Sequence, residues 1–272
     1  MIKIFIITQN EPFYIPKMIK HLIDNQSNDY TVSGFSVLSP SRKNKSILDW
    51  FKERANIYSI WELIIVGFAF ISAKILTSLK ITSIYKNRTL FIKSGIQEII
   101  TSDINSHDFI NQLMGIEPDI ILSISCPQIF QNEILNIPKL YCINAHGTLL
   151  PRHRGVFGSF WTLYDGDIIA GSTLHTMELK LDAGKTLWQK SFPVLAKDTQ
   201  YSIAYKTKKH MAFGLVELFN KIDSKSELVP VQSKYISSYH RAPSSKQGKE
   251  LKQKGKRIVI ISNLKLMLSK SF

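Results

Sequence analysis

Through the first two thirds of the chain, continuous apolar runs of strand length alternate with segments of helical period. Few folds accommodate that alternation. MIKIFIIT opens the chain as a strand, and Pro12 and Pro16 bound the entry to a helix that runs to about Asp24. VSGFSVL reads as a second strand, residues 47–79 as mainly helical, and SGIQEIIT as a short strand. SHDFINQLMGI has helical spacing behind a Ser106 cap, and PDIILSIS and LYCINAH are strands around a short helix in QIFQNEILNI. Strands that are apolar at every position are buried on both faces. The order therefore predicts an α/β fold, a Rossmann-like, mostly parallel sheet with helices on both faces. In such sheets the chemistry gathers at the carboxyl ends of the strands.

After Phe157 the pattern changes. FGSFWTLYDG reads as a helix, then GSTLHTMEL and TLWQKSFPV as strands joined by the turn-forming KLDAGK. A long helix is expected from Thr199 or Gln200 to about Ile222. Residues 1–228 are taken as the catalytic domain and 229–272 as a short basic C-terminal extension with one late apolar segment, RIVIISNLKLML. A hydrophobic content of 44% excludes a disordered chain. The net charge of +14 is concentrated in the tail: from Lys234 to Phe272 ten Lys/Arg face one acid, Glu250, leaving +5 for the rest. Such a tail reads first as a solvated terminus and second as a contact for phosphates, with nucleic acid not the favoured partner.

Cys126 and Cys142 both lie in apolar runs that read as strands and are expected as reduced thiols. The first residues carry no signal-peptide pattern, which suits a cytoplasmic location. Ser59–Leu79 is strongly apolar, but only eleven uncharged residues separate Glu62 from Lys74. That is short of the roughly 20 needed to cross a bilayer, so a buried or half-buried helix is expected. Peripheral contact with a membrane, or a homodimer face, stays open.

The chemistry is concentrated in INAHGTLLPRHRG. Asn144 and His146 sit two apart at a strand end, so both project to one face. A side-chain amide beside an imidazole pairs a carbonyl-polarising donor with a proton acceptor, the combination acyl transfer needs. Asp182, in the Asp-Ala-Gly turn, is placed to orient or charge-stabilise the imidazole. Taken singly, each residue has an ordinary structural alternative: satisfied strand-end polars for the first two, local turn chemistry for the third.

The joint pattern is more specific. Asn144-Ala-His146-Gly-Thr148-Leu-Leu-Pro151-Arg-His-Arg154-Gly155 resembles the signature loop of the folate-dependent formyltransferases. So do Asp165-Gly166-Asp167, Gly171-Ser-Thr173-Leu-His175-Thr-Met177 and Leu181-Asp182-Ala-Gly184. That family includes the glycinamide ribonucleotide, methionyl-tRNA and sugar-nucleotide N-formyltransferases. The resemblance is dense from Pro118 to Val194 and looser before it. It implies the formyltransferase fold, Asn144, His146 and Asp182 as the catalytic triad, 10-formyltetrahydrofolate as cosubstrate and a primary amine as acceptor. It places the pterin against Ser125, Cys126, Pro127, Gln128, Ile129 and Phe130 and the loop Thr148, Leu149, Leu150 and Pro151. It implies no metal, and His146, His153 and His175 show no zinc-ligand spacing. The chain departs from the family at Gly158, where members often carry proline, and much of residues 40–95 has no counterpart.

The acceptor is argued by elimination. The tRNA-formylating members add a C-terminal β-barrel, and the 78 residues after Val194, with a long helix removed, are too few for one, so a methionyl-tRNA formyltransferase-like enzyme lacking that domain is kept as the alternative. The glycinamide ribonucleotide enzymes place a glycine-rich phosphate turn after the first strand, where this chain has Gln9-Asn10-Glu11-Pro12. A small-molecule amine remains, first of all an amino-sugar nucleotide. A formyltetrahydrofolate hydrolase usually carries an N-terminal regulatory domain, whereas this chain starts on its first strand. That rival and a catalytically silent binding protein are the readings from other classes.

Overall fold

A computed structural model describes residues 1–39, 57–79, 81, 86–224 and 228–272. The expected helical stretch at residues 47–56 lies outside them. The strands are β1 (Ile2–Gln9), β2 (Tyr30–Leu38), β3 (Ile120–Ile124), β4 (Tyr141–His146), β5 (Arg154–Gly155), β6 (Ile169–Thr176), β7 (Thr186–Pro193) and β8 (Tyr239–His240). The helices are α1 (Ile15–Asp24), α2 (Ile60–Ser78), α3 (Asn87–Lys93), α4 (His107–Ile116), α5 (Asn132–Leu135), α6 (Gly158–Tyr164), α7 (Gln200–Asp223), α8 (Ser245–Gln253) and α9 (Asn263–Leu268).

The main sheet has the order β2-β1-β3-β4-β6-β7. The first four strands are parallel, and β6 and β7 continue the sheet antiparallel. The apolar runs divide by strand parity. Ile2, Ile4 and Ile6 of β1, with Ile120, Leu122 and Ile124 of β3, face α1 and α7. Phe5, Ile7 and Ile121 point the other way, onto Phe109 and Leu113 of α4 and Ile134 of α5. This is why the runs are unbroken. Each such fully buried side chain contributes about 1.5–3 kcal/mol. On α1 the buried Ile15, Met18, Ile19 and Leu22 form one stripe at helical spacing.

Three expectations change. SGIQEIIT is not a strand: it makes one bridge, Phe35 to Glu98, with Ile99 N–H bonded to Phe35 O at 2.9 Å. Cys126 lies just past β3 rather than within it, although both thiols are free. The helix over Ser59–Leu79 forms, with a Ser59–Glu62 capping box, but buries only Glu62, Ala69 and Ala73. Trp61, Ile64, Phe68 and Ile71 are exposed. Among the described residues α2 is the one helix long and apolar enough to cross a membrane by length and composition, with 17% of its most apolar window buried.

The tail is folded back rather than solvated. β8 pairs with β5, with Arg154 N–H bonded to Ser238 O at 2.9 Å and Val156 N–H to His240 O at 3.2 Å. Leu251 of α8 is buried with Phe160 and Trp161 of α6. Met267 of α9 packs on Ala69 and Ala73 of α2. The buried Lys17 ammonium donates to Phe13 O and Leu266 O at 2.8 and 2.6 Å.

Candidate active site

The strand order reverses direction between β1 and β3, the position where open α/β sheets bind ligands beyond the strand ends. A cleft of about 680 Å³ opens there, lined among others by Gln9, Ser125, Asn144, His146, Asp182 and Lys208.

Asn144 lies directly opposite His175 in the antiparallel β4–β6 pair, and its Nδ2 is 3.1 Å from His175 Nε2. His175 Nδ1 is 2.8 Å from Thr176 O. A carbonyl only accepts, so Nδ1 carries the proton and Nε2 is the acceptor for the Asn144 amide. Burial, and then the neighbouring His146, hold the His175 pKa below the usual imidazole range, consistent with that neutral tautomer. The consequence is a fixed amide. One Asn144 N–H is spent on His175, and the other and the carbonyl oxygen are left for the cleft.

His146 is held by the same logic. Its Nε2 is 3.2 Å from His153 O, so that nitrogen carries a proton, and Nδ1 faces Asp182 Oδ1 at 3.7 Å. Asp182 Oδ1 is also 3.7 Å from His175 Nε2, while Oδ2 accepts from Gly155 N–H at 2.7 Å. The donor atoms of His146, His175 and Asp182 all lie within 4.8 Å of one another. The Asp182 carboxylate reaches this point because its turn hugs β6. A Cβ on Gly184 would stand 1.8 Å from Thr176 O, and Asp182 itself adopts φ 51°, the left-handed region in which aspartate is among the better-tolerated L residues.

Of the residues expected at the pterin, Ser125, Cys126, Pro127, Gln128, Ile129, Phe130 and Thr148 line the cleft. Leu149, Leu150 and Pro151 do not. The chain after Thr148 turns beneath β6, with Leu150 N–H bonded to Thr173 Oγ1 at 3.1 Å and Thr173 Oγ1 donating to Thr148 O at 2.7 Å. Leu149 and Leu150 are thereby buried, and Leu149 faces a separate, smaller hollow.

Two cleft residues escaped the sequence reading. Glu11 receives Phe13, Tyr14 and Ile15 N–H at 2.8, 2.7 and 3.0 Å, filling the amino end of α1 with its own carboxylate. Burial raises its pKa against those hydrogen bonds and the nearby Lys208. Lys208 donates to Ser125 Oγ at 2.7 Å, and its burial lowers the pKa to about 8. A signal existed for Lys208: it stands three residues before the buried Met211 and next to the buried Thr207, on the inner stripe of α7. Glu11 had none beyond its place after a strand.

Residues 87–218 match the family described as "Formyl transferase". A bifunctional polymyxin resistance protein, ArnA, of Wigglesworthia glossinidia brevipalpis is 36% identical over 130 residues, 48% of this chain and 19% of that protein. A methionyl-tRNA formyltransferase of Borrelia garinii is 38% identical over 95 residues, 35% of this chain and 30% of that enzyme. The matched segments thus span less than a third of either relative. Among solved structures, a sugar N-formyltransferase from a Shewanella species superposes with a TM-score of 0.57 at 18% identity, over 88% of this chain and 76% of that one. A phosphoribosylglycinamide formyltransferase from Anaplasma phagocytophilum superposes with a TM-score of 0.58 at 17% identity, over 82% and 87%. An open α/β sheet carries an amide, an imidazole and a carboxylate in the cleft beyond its strand ends. Residues 87–218 of this chain match the formyl transferase family.

Proposed function

We propose that this protein transfers a formyl group from 10-formyltetrahydrofolate to a primary amine in the cytoplasm, the amine being that of an amino-sugar nucleotide. The convergence of Asn144, His146 and Asp182 in one cleft carries the reading of formyl transfer. The cleft suits the folate: about 680 Å³ falls within the usual range for small-molecule sites, and exposed Ile129 and Leu181 offer apolar faces to a flat ring. 10-Formyltetrahydrofolate supplies an activated formyl carbon.

The residues then act as follows. The amine nitrogen bonds to the formyl carbon while charge develops on the formyl oxygen. The free Asn144 N–H is the donor for that charge. The proton lost by the amine passes to the His146–Asp182 pair. Asp182 stabilises the imidazolium, held by the Gly155 N–H that fixes its other oxygen. Cleavage of the bond from the formyl carbon to the folate nitrogen then releases the formamide, and that nitrogen takes a proton.

The acceptor rests on two observations. The amino end of α1, where a phosphate would find free N–H groups, is filled by Glu11, which disfavours a phosphoribosyl amine there. The fold is also that of sugar N-formyltransferases, among them a Helicobacter canadensis enzyme in complex with folinic acid and dTDP-3-aminofucose. A discontinuous assay with 10-formyltetrahydrofolate tests the proposal against amino-sugar nucleotides, glycinamide ribonucleotide and charged initiator tRNA, with a no-acceptor control. Turnover confined to sugar nucleotides is expected. Turnover with another amine would overturn the acceptor, and release of tetrahydrofolate without any acceptor would make the protein a hydrolase.

A further inference from the structure

Outside the cleft, a second group of metal-competent side chains sits where the tail meets the loop. His153 Nδ1 is 3.0 Å from His240 Nε2 and 3.7 Å from Asp165 Oδ2, and the last two atoms are 3.8 Å apart. A point equidistant from all three atoms lies about 2.1 Å from each, the length of a zinc–nitrogen or zinc–carboxylate bond. Ligands at tetrahedral angles on such bonds stand about 3.4 Å apart, so shifts of a few tenths of an ångström complete three corners and leave the fourth for water. None of the three residues belongs to the proposed formyl-transfer machinery.

The support around them matches what a metal site requires. Metal-bound histidines hold their other ring nitrogen on a carboxylate, which fixes ring and tautomer. His153 Nε2 is 2.8 Å from Asp167 Oδ2, and the other Asp167 oxygen is paired with Arg152. His240 is fixed by the Trp161 ring, stacked on it at 4.3 Å, while Trp161 Nε1–H donates to Arg241 O at 3.1 Å. His153 is buried and Asp165 one-third exposed, which gives an ion a way in. Sequence spacing gives no sign of this arrangement, because His240 lies 87 residues after His153.

We propose that His153, Asp165 and His240 form a binding site for a divalent cation of the zinc class, distinct from the catalytic cleft. Its place gives it a task. His153 O anchors His146, and Gly155 N–H anchors Asp182, so both hydrogen bonds come from the segment that the site ties to β8. A cation here clamps the tail onto the loop that orients the catalytic pair. The proposal does not depend on what the cleft transfers.

The test uses the full chain, stripped with a chelator and titrated with zinc alone against a chromophoric competitor, and with cobalt(II) for its visible spectrum. One zinc per chain and the intense visible bands of four-coordinate cobalt are expected. His240→Ala and Asp165→Asn should each weaken binding at least tenfold, while His146→Ala leaves it unchanged, which separates this site from His146, His175 and Asp182. Circular dichroism keeps misfolded variants out of the comparison, and Asp165→Asn, on a part-exposed turn, is the variant that preserves the fold. Absence of stoichiometric zinc, undiminished binding in both His240→Ala and Asp165→Asn, or loss of binding in His146→Ala would each overturn the proposal and reduce the cluster to a hydrogen-bonded histidine pair.

Discussion

Replacing Asp182 by asparagine isolates charge from shape. The amide oxygen can still accept from Gly155 N–H, the bond that measures 2.7 Å for Oδ2 in the native protein, so the turn and the loop stay in place. What disappears is the attraction between a carboxylate and an imidazolium 3.7 Å apart, both largely sealed from water. Unit charges at that distance in an effective dielectric of about 20 attract by about 4.5 kcal/mol. That attraction is present only when His146 is protonated, as it becomes while the amine proton is being handled. The loss therefore falls on turnover rather than on substrate affinity, and 4.5 kcal/mol corresponds to a fall in kcat of about 10³-fold. Single-turnover formyl transfer at saturating substrates, with unchanged denaturant stability as the control, measures it. A decrease below tenfold in a folded variant would refute the reasoning and leave Asp182 as a turn residue.

Other perturbations follow from the same contacts. Lys208 is half-buried and desolvation lowers its pKa to about 8, so above that value the folded chain holds fewer protons than the unfolded one, whose lysine titrates near 10.5. Wild type should therefore gain stability relative to Lys208→Met as pH rises from about 8 to 10.5, read from paired urea titrations; a flat difference would refute the burial argument. Gly155 adopts φ 97°, and an added Cβ would stand 2.1 Å from His240 O. Gly155→Ala is expected to lower stability by about 2 kcal/mol and to depress kcat with it, because the shift moves the N–H that holds Asp182. Glu11→Ala should remove about 1–2 kcal/mol of helix capping and make turnover sensitive to inorganic phosphate, to which the native protein should be indifferent. Unchanged phosphate sensitivity would show that Glu11 does not guard the helix end.

The sequence was most informative where local pattern and tertiary need agree. β1, β3 and β4 are legible because strands buried on both faces read as near-continuous apolar runs, and helices α1, α4 and α7 because their buried residues recur at helical spacing. Asn144 and His146 were legible because spacing on a strand fixes side-chain direction. SGIQEIIT misled, since apolar alternation cannot tell a ladder from a single bridge to Phe35. The roles of His175, Glu11 and His240 were hidden for a different reason: each is made by a partner that no local pattern identifies. His175 needs its register against Asn144, Glu11 needs the turn into α1, and His240 needs a tail that composition alone describes as solvated.

The pairing of β5 with β8 also sets an order of events during synthesis. His240 is made 87 residues after His153, which at about 5–20 residues per second leaves about 4 to 17 s in which the loop exists without its partner strand. For that interval the sheet can already be assembling on the ribosome, while the segment that anchors His146 and Asp182 has nothing to lie against. A nascent protein stalled short of Tyr239 would lack the strand against which that segment lies.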